Sequence, residues 1–380
     1  MTAFVIDTDV TDAQALAGAE TGLITDTGSL TVGNQSALAM AGSAHLTNNG
    51  AIANESFTAA TVVAQGDSEM SITNSGTIRN NIGRAIDVTF EGRFFLDNSG
   101  TIEGMSGGIL RLTGATPDSV VDIVNSGDIL WFGGSNDRPA VWLRSGILHL
   151  TNTGYVSDIA SAGGNDQITT FGEMLTAAMG GGRDHFTGVK HSSTNAVDMG
   201  RGADVVRNEW FIGEVKLGLG DDRYISGQGA TFKVEGGGGD DIIRSGGGPA
   251  SLFGGTGDDT ISHGAIDNVG HLFGDAGADV LKLTGRGDMT GGADSDTFVL
   301  VPGIIQSGVV ISVLDFTDGE DWLDLSAFGF ADAAEALSHA TQKKKYVDFL
   351  LESSVFGLVH FEIRGAVDVT TEMLADSLIL

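Results

Sequence analysis

The chain has 380 residues, 58 glycines, no cysteine and a formal net charge of −30. Acidity of that size argues against nucleic acid or an anionic membrane surface as a partner, and the lack of cysteine excludes disulfides and thiol chemistry. Glycine without matching proline points to a turn-dense β architecture rather than disorder. No apolar run approaches the ~18 residues of a membrane-spanning helix, so membrane insertion is not expected. The opening stretch, MTAFVIDTDVTDAQALAG, has no basic start and carries acids where a signal peptide would be apolar, so export would need another route.

Residues 1–157 contain a repeat of long period. Six segments align: ITDTGSL, LTNNGAI, ITNSGTI, LDNSGTI, IVNSGDI and LTNTGYV, with Gly28, Gly50, Gly76, Gly100, Gly127 and Gly154 spaced 22 to 27 residues apart. Each reads apolar, any, Asn or Asp, polar, Gly, any, apolar. That pattern suits two short strands joined at a polar corner. Further alternating strands lie between the corners: ALAM, ATVV, AIDV, GILRL and AVWL. Several short strands per period of about 25 residues predict a parallel β-helix. The column Asp26, Asn48, Asn74, Asn98, Asn125 and Asn152 is then expected to stack as a side-chain ladder. A β-sandwich with recurrent NSG turns is the alternative, although it has no reason to keep six corners in register.

A second repeat follows in residues 158–300. Asp166, Asp184, Asp204, Asp222, Asp241, Asp259, Asp279 and Asp296 are separated by 18, 20, 18, 19, 18, 20 and 17 residues. The fullest copies, GGGGDDII and GGTGDDTI, fit Gly-Gly-x-Gly-x-Asp-x-(apolar)-x, a glycine-rich turn feeding a short strand. Stacked in parallel, such turns make a β-roll that binds calcium between layers. The glycines, among them Gly182, Gly202, Gly220, Gly237, Gly239, Gly255, Gly257 and Gly277, permit positive φ and can aim carbonyl oxygens into the turn. The aspartates add carboxylates, and two half-sites together offer the six to eight oxygens that Ca²⁺ prefers. Eight turns leave about seven gaps, one ion in each. Without the ion the stacked carboxylates repel, so the roll is expected to be loose or unfolded in low calcium. Several copies are degraded: Met179 and Leu217 replace the first glycine, Asp275 the second and Asp294 the third, with the end copies weakest. Only alternate turns carry the motif, which predicts a one-sided ladder with an ordinary loop edge opposite. Because Gly154 and Asp166 have no linker between them, one continuous stack is expected, narrowing from about 25 to about 18 residues per turn.

Beyond residue 300 the glycine turns stop. The segment DFTDGEDWLDLSAF, and a terminus in which Asp376 precedes Leu378, Ile379 and Leu380, resemble the end of the RTX (repeat-in-toxin) proteins. Together with the aspartate repeat, the resemblance covers roughly residues 163–380. It implies a Gram-negative protein, secreted or at the cell surface, exported by type I secretion through an uncleaved C-terminal signal. Residues 301–380 are also expected to cap the roll, as a solenoid end requires.

RTX tails occur on enzymes as well as non-catalytic proteins. No histidine is followed by glutamate, so there is no HExxH zinc motif. The one GxSxG, at residues 104–108, sits within the β-helix repeat rather than at a strand-to-helix elbow. His149 lies in an apolar strand and is expected to be an outward or packed residue rather than a base. β-Helices also carry polysaccharide lyases and epimerases. Here, however, Asp87, Arg93 and Asp97, or Arg138 and Arg144 near Trp131 and Trp142, form no clear acid–base set. No catalytic residue is expected. Trp131, Phe132 and Trp142 could stack on sugar, or could simply be half-buried at a corner. Lys343, Lys344 and Lys345 are expected in a solvated turn. The expectation is thus an all-β chain, a parallel β-helix running into a calcium-binding β-roll, that folds on calcium. It would be a structural protein of the cell surface or matrix and would self-assemble head to tail. A polysaccharide-binding or polysaccharide-modifying role is the alternative.

Overall fold

A computed structural model describes all residues except 67–68, 106–108, 115, 132–138, 249, 265–267, 302–309, 354–356 and 366–367, with the side chains of 352–359 also set aside. Phe132, Arg138 and most of the GxSxG segment therefore lie outside the described residues. The chain forms two compact units, Met1–Gly200 and Arg201–Leu380. Each is a parallel β-solenoid.

In the first unit, one sheet runs through Thr2–Ile6, Thr21–Ile24, His45–Asn48, Glu69–Asn74, Arg93–Asn98, Val120–Asn125, Ile147–Asn152, Gln167–Thr170 and His185–Gly188, every adjacent pair parallel. Alternate residues point inward, as in EMSITN at Glu69–Asn74, where Met70, Ile72 and Asn74 are buried. This period-2 pattern dictates strand rather than helix. Register places Met70, Phe94, Val121 and Leu148 in one column and Ile72, Leu96, Ile123 and Leu150 in the next. All are at most 2 % exposed. Each side chain buried this way stabilises the stack by about 1.5–3 kcal/mol.

The opposite wall holds two strands per long turn. Ala51–Asn54, Thr77–Asn80, Thr101–Gly104 and Asp128–Trp131 form one line. Leu38–Ala41, Val62–Gly66, Ile86–Phe90, Leu110–Gly114 and Val141–Leu143 form the other, close to the strands read from the sequence. The two lines merge in Tyr155–Ser161. Its Tyr155 and Val156 pair with Asp128 and Ile129, while its Ile159 to Ser161 pair with Val141 to Leu143. One strand takes over from two, and the turn shortens without breaking either sheet. Parallel pairing thus passes directly from the long-period repeat into the short one.

In the second unit, Val205–Asn208, Arg223–Ser226, Ile242–Ser245, Thr260–His263, Val280–Leu283, Thr297–Leu300 and Trp322–Asp324 each follow a turn aspartate or Asp321 and belong to one sheet. Phe211–Leu219, Ala230–Gly238, Ala250–Thr256, Val269–Ala276, Arg286–Ala293 and Val310–Val313 form the facing sheet. The C-terminal residues close both sheets. Leu378–Ile379 pairs in parallel with Trp322–Asp324, and Gly357–Arg364 pairs with Val310–Val313. An antiparallel partner, Tyr346–Ser353, then covers Gly357–Arg364. A short helix, Ala333–Ser338, starts at Asp332, whose side chain accepts the Glu335 N–H. Lys343 to Lys345 lie in the turn between Ala340–Gln342 and Tyr346–Ser353, as expected.

Candidate metal centre

Two kinds of polar column occur in the solenoid turns, and they differ in chemistry. The first is the asparagine ladder. Asn48 Nδ2 donates to Asn74 Oδ1, Asn74 to Asn98 and Asn98 to Asn125, each at 2.7 Å, and Asn125 to Asn152 at 2.8 Å. All five are fully buried. Asn152 passes the bond on to Thr170 Oγ1. Asp26 does not join. Register sets Asn48 opposite Ile24, because Gly28 follows Ile24 by four positions where Gly50 follows Asn48 by two. Asp26 is thrown outward to solvent, and Asn48 Oδ1 is left without a donor. The glycine after each corner is a close approach: a Cβ on Gly76, Gly100, Gly127 or Gly154 would lie 2.0 Å from the carbonyl oxygen of the preceding turn's glycine.

The second column is the aspartates. Leu148 N–H donates to Asp166 Oδ1, so the first carboxylate continues the inward column of Met70, Phe94, Val121 and Leu148. Asp166, Asp184, Asp204, Asp222, Asp241, Asp259, Asp279 and Asp296 are all at most 1 % exposed. In the first unit Asp166 N–H donates to Asp184 Oδ1 at 2.7 Å. In the second, the amides of Asp204, Asp222, Asp241, Asp259 and Asp279 donate in the same way to the carboxylate of the next turn, at 2.7 to 3.0 Å. Each Oδ1 is thereby satisfied. The other oxygen, Oδ2, of Asp166, Asp222, Asp241, Asp259, Asp279 and Asp296 is buried with no hydrogen-bond donor. A repeated orphan acceptor of this kind calls for an outside partner, since each unpaired buried polar atom costs about 1–3 kcal/mol, more when charged.

Electrostatics agrees with the geometry. Burial, followed by the neighbouring carboxylates, pushes Asp241 up to about 8, Asp222, Asp279 and Asp296 to about 7, and Asp259 to about 6. Asp166 rises to about 6, chiefly through burial. These groups need either a proton or a cation. The donor set is carboxylate oxygen on a glycine-rich backbone, without sulfur or imidazole, which suits a hard cation.

The predicted glycines shape the turns. Gly182, Gly202, Gly220, Gly239, Gly257 and Gly277, two residues before each aspartate, have φ from 118° to 149°. Gly237 and Gly255, at the second motif position, have φ of 113° and 115°. Where glycine is lost the backbone keeps its course, for Asp275 and Asp294 hold φ of 75° and 79°. At the first motif position the copies divide. A Cβ on Gly236, Gly254, Gly274 or Gly291 would fall 2.1 to 2.3 Å from Oδ2 of Asp241, Asp259, Asp279 or Asp296. Earlier copies instead carry the buried side chains of Met179, Met199 and Leu217 there.

Two features escaped the sequence reading. Asp321 continues the ladder, accepting the Asp296 N–H on Oδ1 and the Thr317 N–H on Oδ2, so the column ends in a carboxylate satisfied by backbone. Its signal was the Asp-x-apolar half-motif at Asp321, Trp322 and Leu323, without glycines. An exposed ladder also runs alongside: Asp221 Oδ1 accepts from Asp240 N–H, Asp240 from Asp258 N–H, and Asp258 from Ala278 N–H. The doubled Asp-Asp in these copies was its signal.

The acids considered for catalysis do not converge. Asp87 lies on Ile86–Phe90 with Arg84 and Arg111, whereas Arg93 lies on the other wall and pairs with Asp122. His149 points outward and meets Asp122 at 3.1 Å. Burial works to raise the Asp122 carboxyl, but hydrogen bonds from Arg93 and His149 outweigh it and hold the group low. Arg144 sits 5.4 Å over the Trp142 ring. No helix among the described residues is long and apolar enough to cross a membrane. No protein-family model, no curated protein and no solved structure matches the chain.

Proposed function

We propose that the chain is a calcium-dependent structural protein whose aspartate column takes up Ca²⁺ and folds as it does so. The observation that carries this reading is the file of inward carboxylates, in which Asp222, Asp241, Asp259, Asp279 and Asp296 each have one oxygen held by a backbone N–H and the other without a donor. Asp166, Asp184, Asp204, Asp222, Asp241, Asp259, Asp279 and Asp296 would hold the ions, with carbonyls of the turn glycines completing the oxygen set. Calcium supplies the charge that lets these carboxylates stay ionised and buried together. The copies with glycine at the first motif position, ending at Asp241, Asp259, Asp279 and Asp296, leave Oδ2 the most room. The RTX resemblance supports the same assignment, and with it secretion by the type I route into a calcium-rich exterior. Self-association is the expected assembly: among the described residues Thr2–Ile6 pairs with Thr21–Ile24 on one side, and a strand edge of this kind can pair with another copy.

A calcium titration followed by circular dichroism, with light scattering on the same samples, tests both parts. Strand signal should grow as free calcium passes from micromolar to millimolar, the range of extracellular sites. An unchanged spectrum in chelator and in calcium sinks the calcium reading. A discrete monomer at saturating calcium sinks only the assembly.

A further inference from the structure

The cap that closes the second unit carries a donor that the aspartate column lacks. Tyr346–Ser353 and Gly357–Arg364 form an antiparallel ladder in which Asp348 stands directly opposite Glu362. His360 lies two residues before Glu362, so its side chain leaves the same face of the strand. The intervening residues point the other way. Phe349, Phe361 and Ile363 are fully buried, and the Phe349 and Phe361 rings stack with centroids 4.7 Å apart and planes 12° from parallel. Core packing thus fixes the backbone beneath the three polar side chains.

Donor atoms of Asp348, His360 and Glu362 converge to within 4.8 Å of one another. The side chains are half-buried, at 21, 28 and 15 % exposed, and His360 Nε2 bonds to Asp348 Oδ1. Two carboxylates directly opposite in an antiparallel pair repel, so the arrangement calls for positive charge. Lys343, 3.7 Å from Asp348, and Arg364, beside Glu362, supply some of it. Both are long side chains at the rim, 42 % and 45 % exposed, and ion pairs of that kind contribute little and are readily displaced.

We propose that Asp348, His360 and Glu362 bind a zinc ion that ties Tyr346–Ser353 to Gly357–Arg364. Imidazole nitrogen and carboxylate oxygen are both ordinary zinc ligands, whereas calcium takes oxygen. Three protein ligands leave the fourth tetrahedral position to water. Ligands about 2.0–2.2 Å from one ion stand at most about 4.4 Å apart, so small rotamer changes bring the set into range. The ion takes the place of the proton between His360 Nε2 and Asp348 Oδ1. It then holds the ladder in register at the strand that continues the facing sheet from Val310–Val313.

Isothermal titration of the full chain with zinc chloride in saturating calcium tests this. Zinc should bind saturably at a site that His360→Gln removes and Asp348→Asn weakens at least tenfold. His271→Gln, whose ring pairs with Asp288 instead, should bind as the unaltered chain does. Zinc should also slow amide exchange at least tenfold over residues 346–351, and not in His360→Gln. All three ligands face outward, so circular dichroism should be the same in each variant. Cobalt(II) in place of zinc should give the visible d–d absorption of a four-coordinate site, a readout that needs no variant. No saturable zinc binding, no such absorption, undiminished binding by His360→Gln, or unchanged exchange over 346–351 overturns the proposal. None of these outcomes depends on whether the aspartate column takes calcium.

Discussion

The asparagine ladder and the aspartate column solve one geometric problem with different consequences. Both are inward polar side chains repeated once per turn in a parallel stack. An amide carries a donor and an acceptor, so Asn74, Asn98 and Asn125 satisfy each other turn after turn. A carboxylate only accepts. Backbone N–H groups fill one oxygen of Asp222, Asp241 and Asp259, and the second oxygen has no donor while charge accumulates. The asparagine column is complete by itself; the aspartate column is half of a site.

The sharpest way to break this comparison is to remove calcium. In chelator at pH 8, amide-exchange protection should collapse over residues 204–296 and persist over the laddered strands from His45–Asn48 to Ile147–Asn152. Uniform loss, or none, would falsify the contrast. Next in size, Asn98→Ala leaves Asn125 Oδ1 without its ladder donor and should cost about 2–4 kcal/mol in a denaturant midpoint, equally with and without calcium. Asp241→Asn should change sign with the ion. It should stabilise the calcium-free chain by about 1–3 kcal/mol, by removing a buried carboxyl that must otherwise be charged or hold a proton, and destabilise the calcium-loaded one.

The pH dependence follows from the raised carboxyls. The folded calcium-free chain keeps protons on groups at about 6 to 8 that the unfolded chain releases near 4. Its stability should therefore fall as pH rises through that window, and saturating calcium should flatten the slope in a melting series. The smallest effect expected is from Asp275→Gly. It relieves a non-glycine positive φ and removes a carboxylate next to Asp259, for a gain of at most about 1 kcal/mol without calcium.

The sequence disclosed the stack because its periods, corners and inward apolar positions repeat, and repetition is what a solenoid core needs. It placed the asparagine column correctly from Asn48 to Asn152 and misplaced Asp26, since a two-residue insertion inside a corner leaves the motif intact while shifting its register. The aspartates were legible as a file, but not that they continue the core column of Leu148, because inward direction depends on strand pairing across turns. Asp321 lacked the glycines that made the others visible.

The strand Tyr155–Ser161, which pairs with two strands on one side and with Glu173–Ala178 on the other, acts as an adaptor between threads of unequal pitch. Because each layer contacts mainly its neighbours, stability accumulates layer by layer. Whole turns can then be added or deleted above the adaptor or below it without disturbing the other array. The length of the neutral part and the number of charged layers can drift independently, and only the seven residues of the joint must stay as they are.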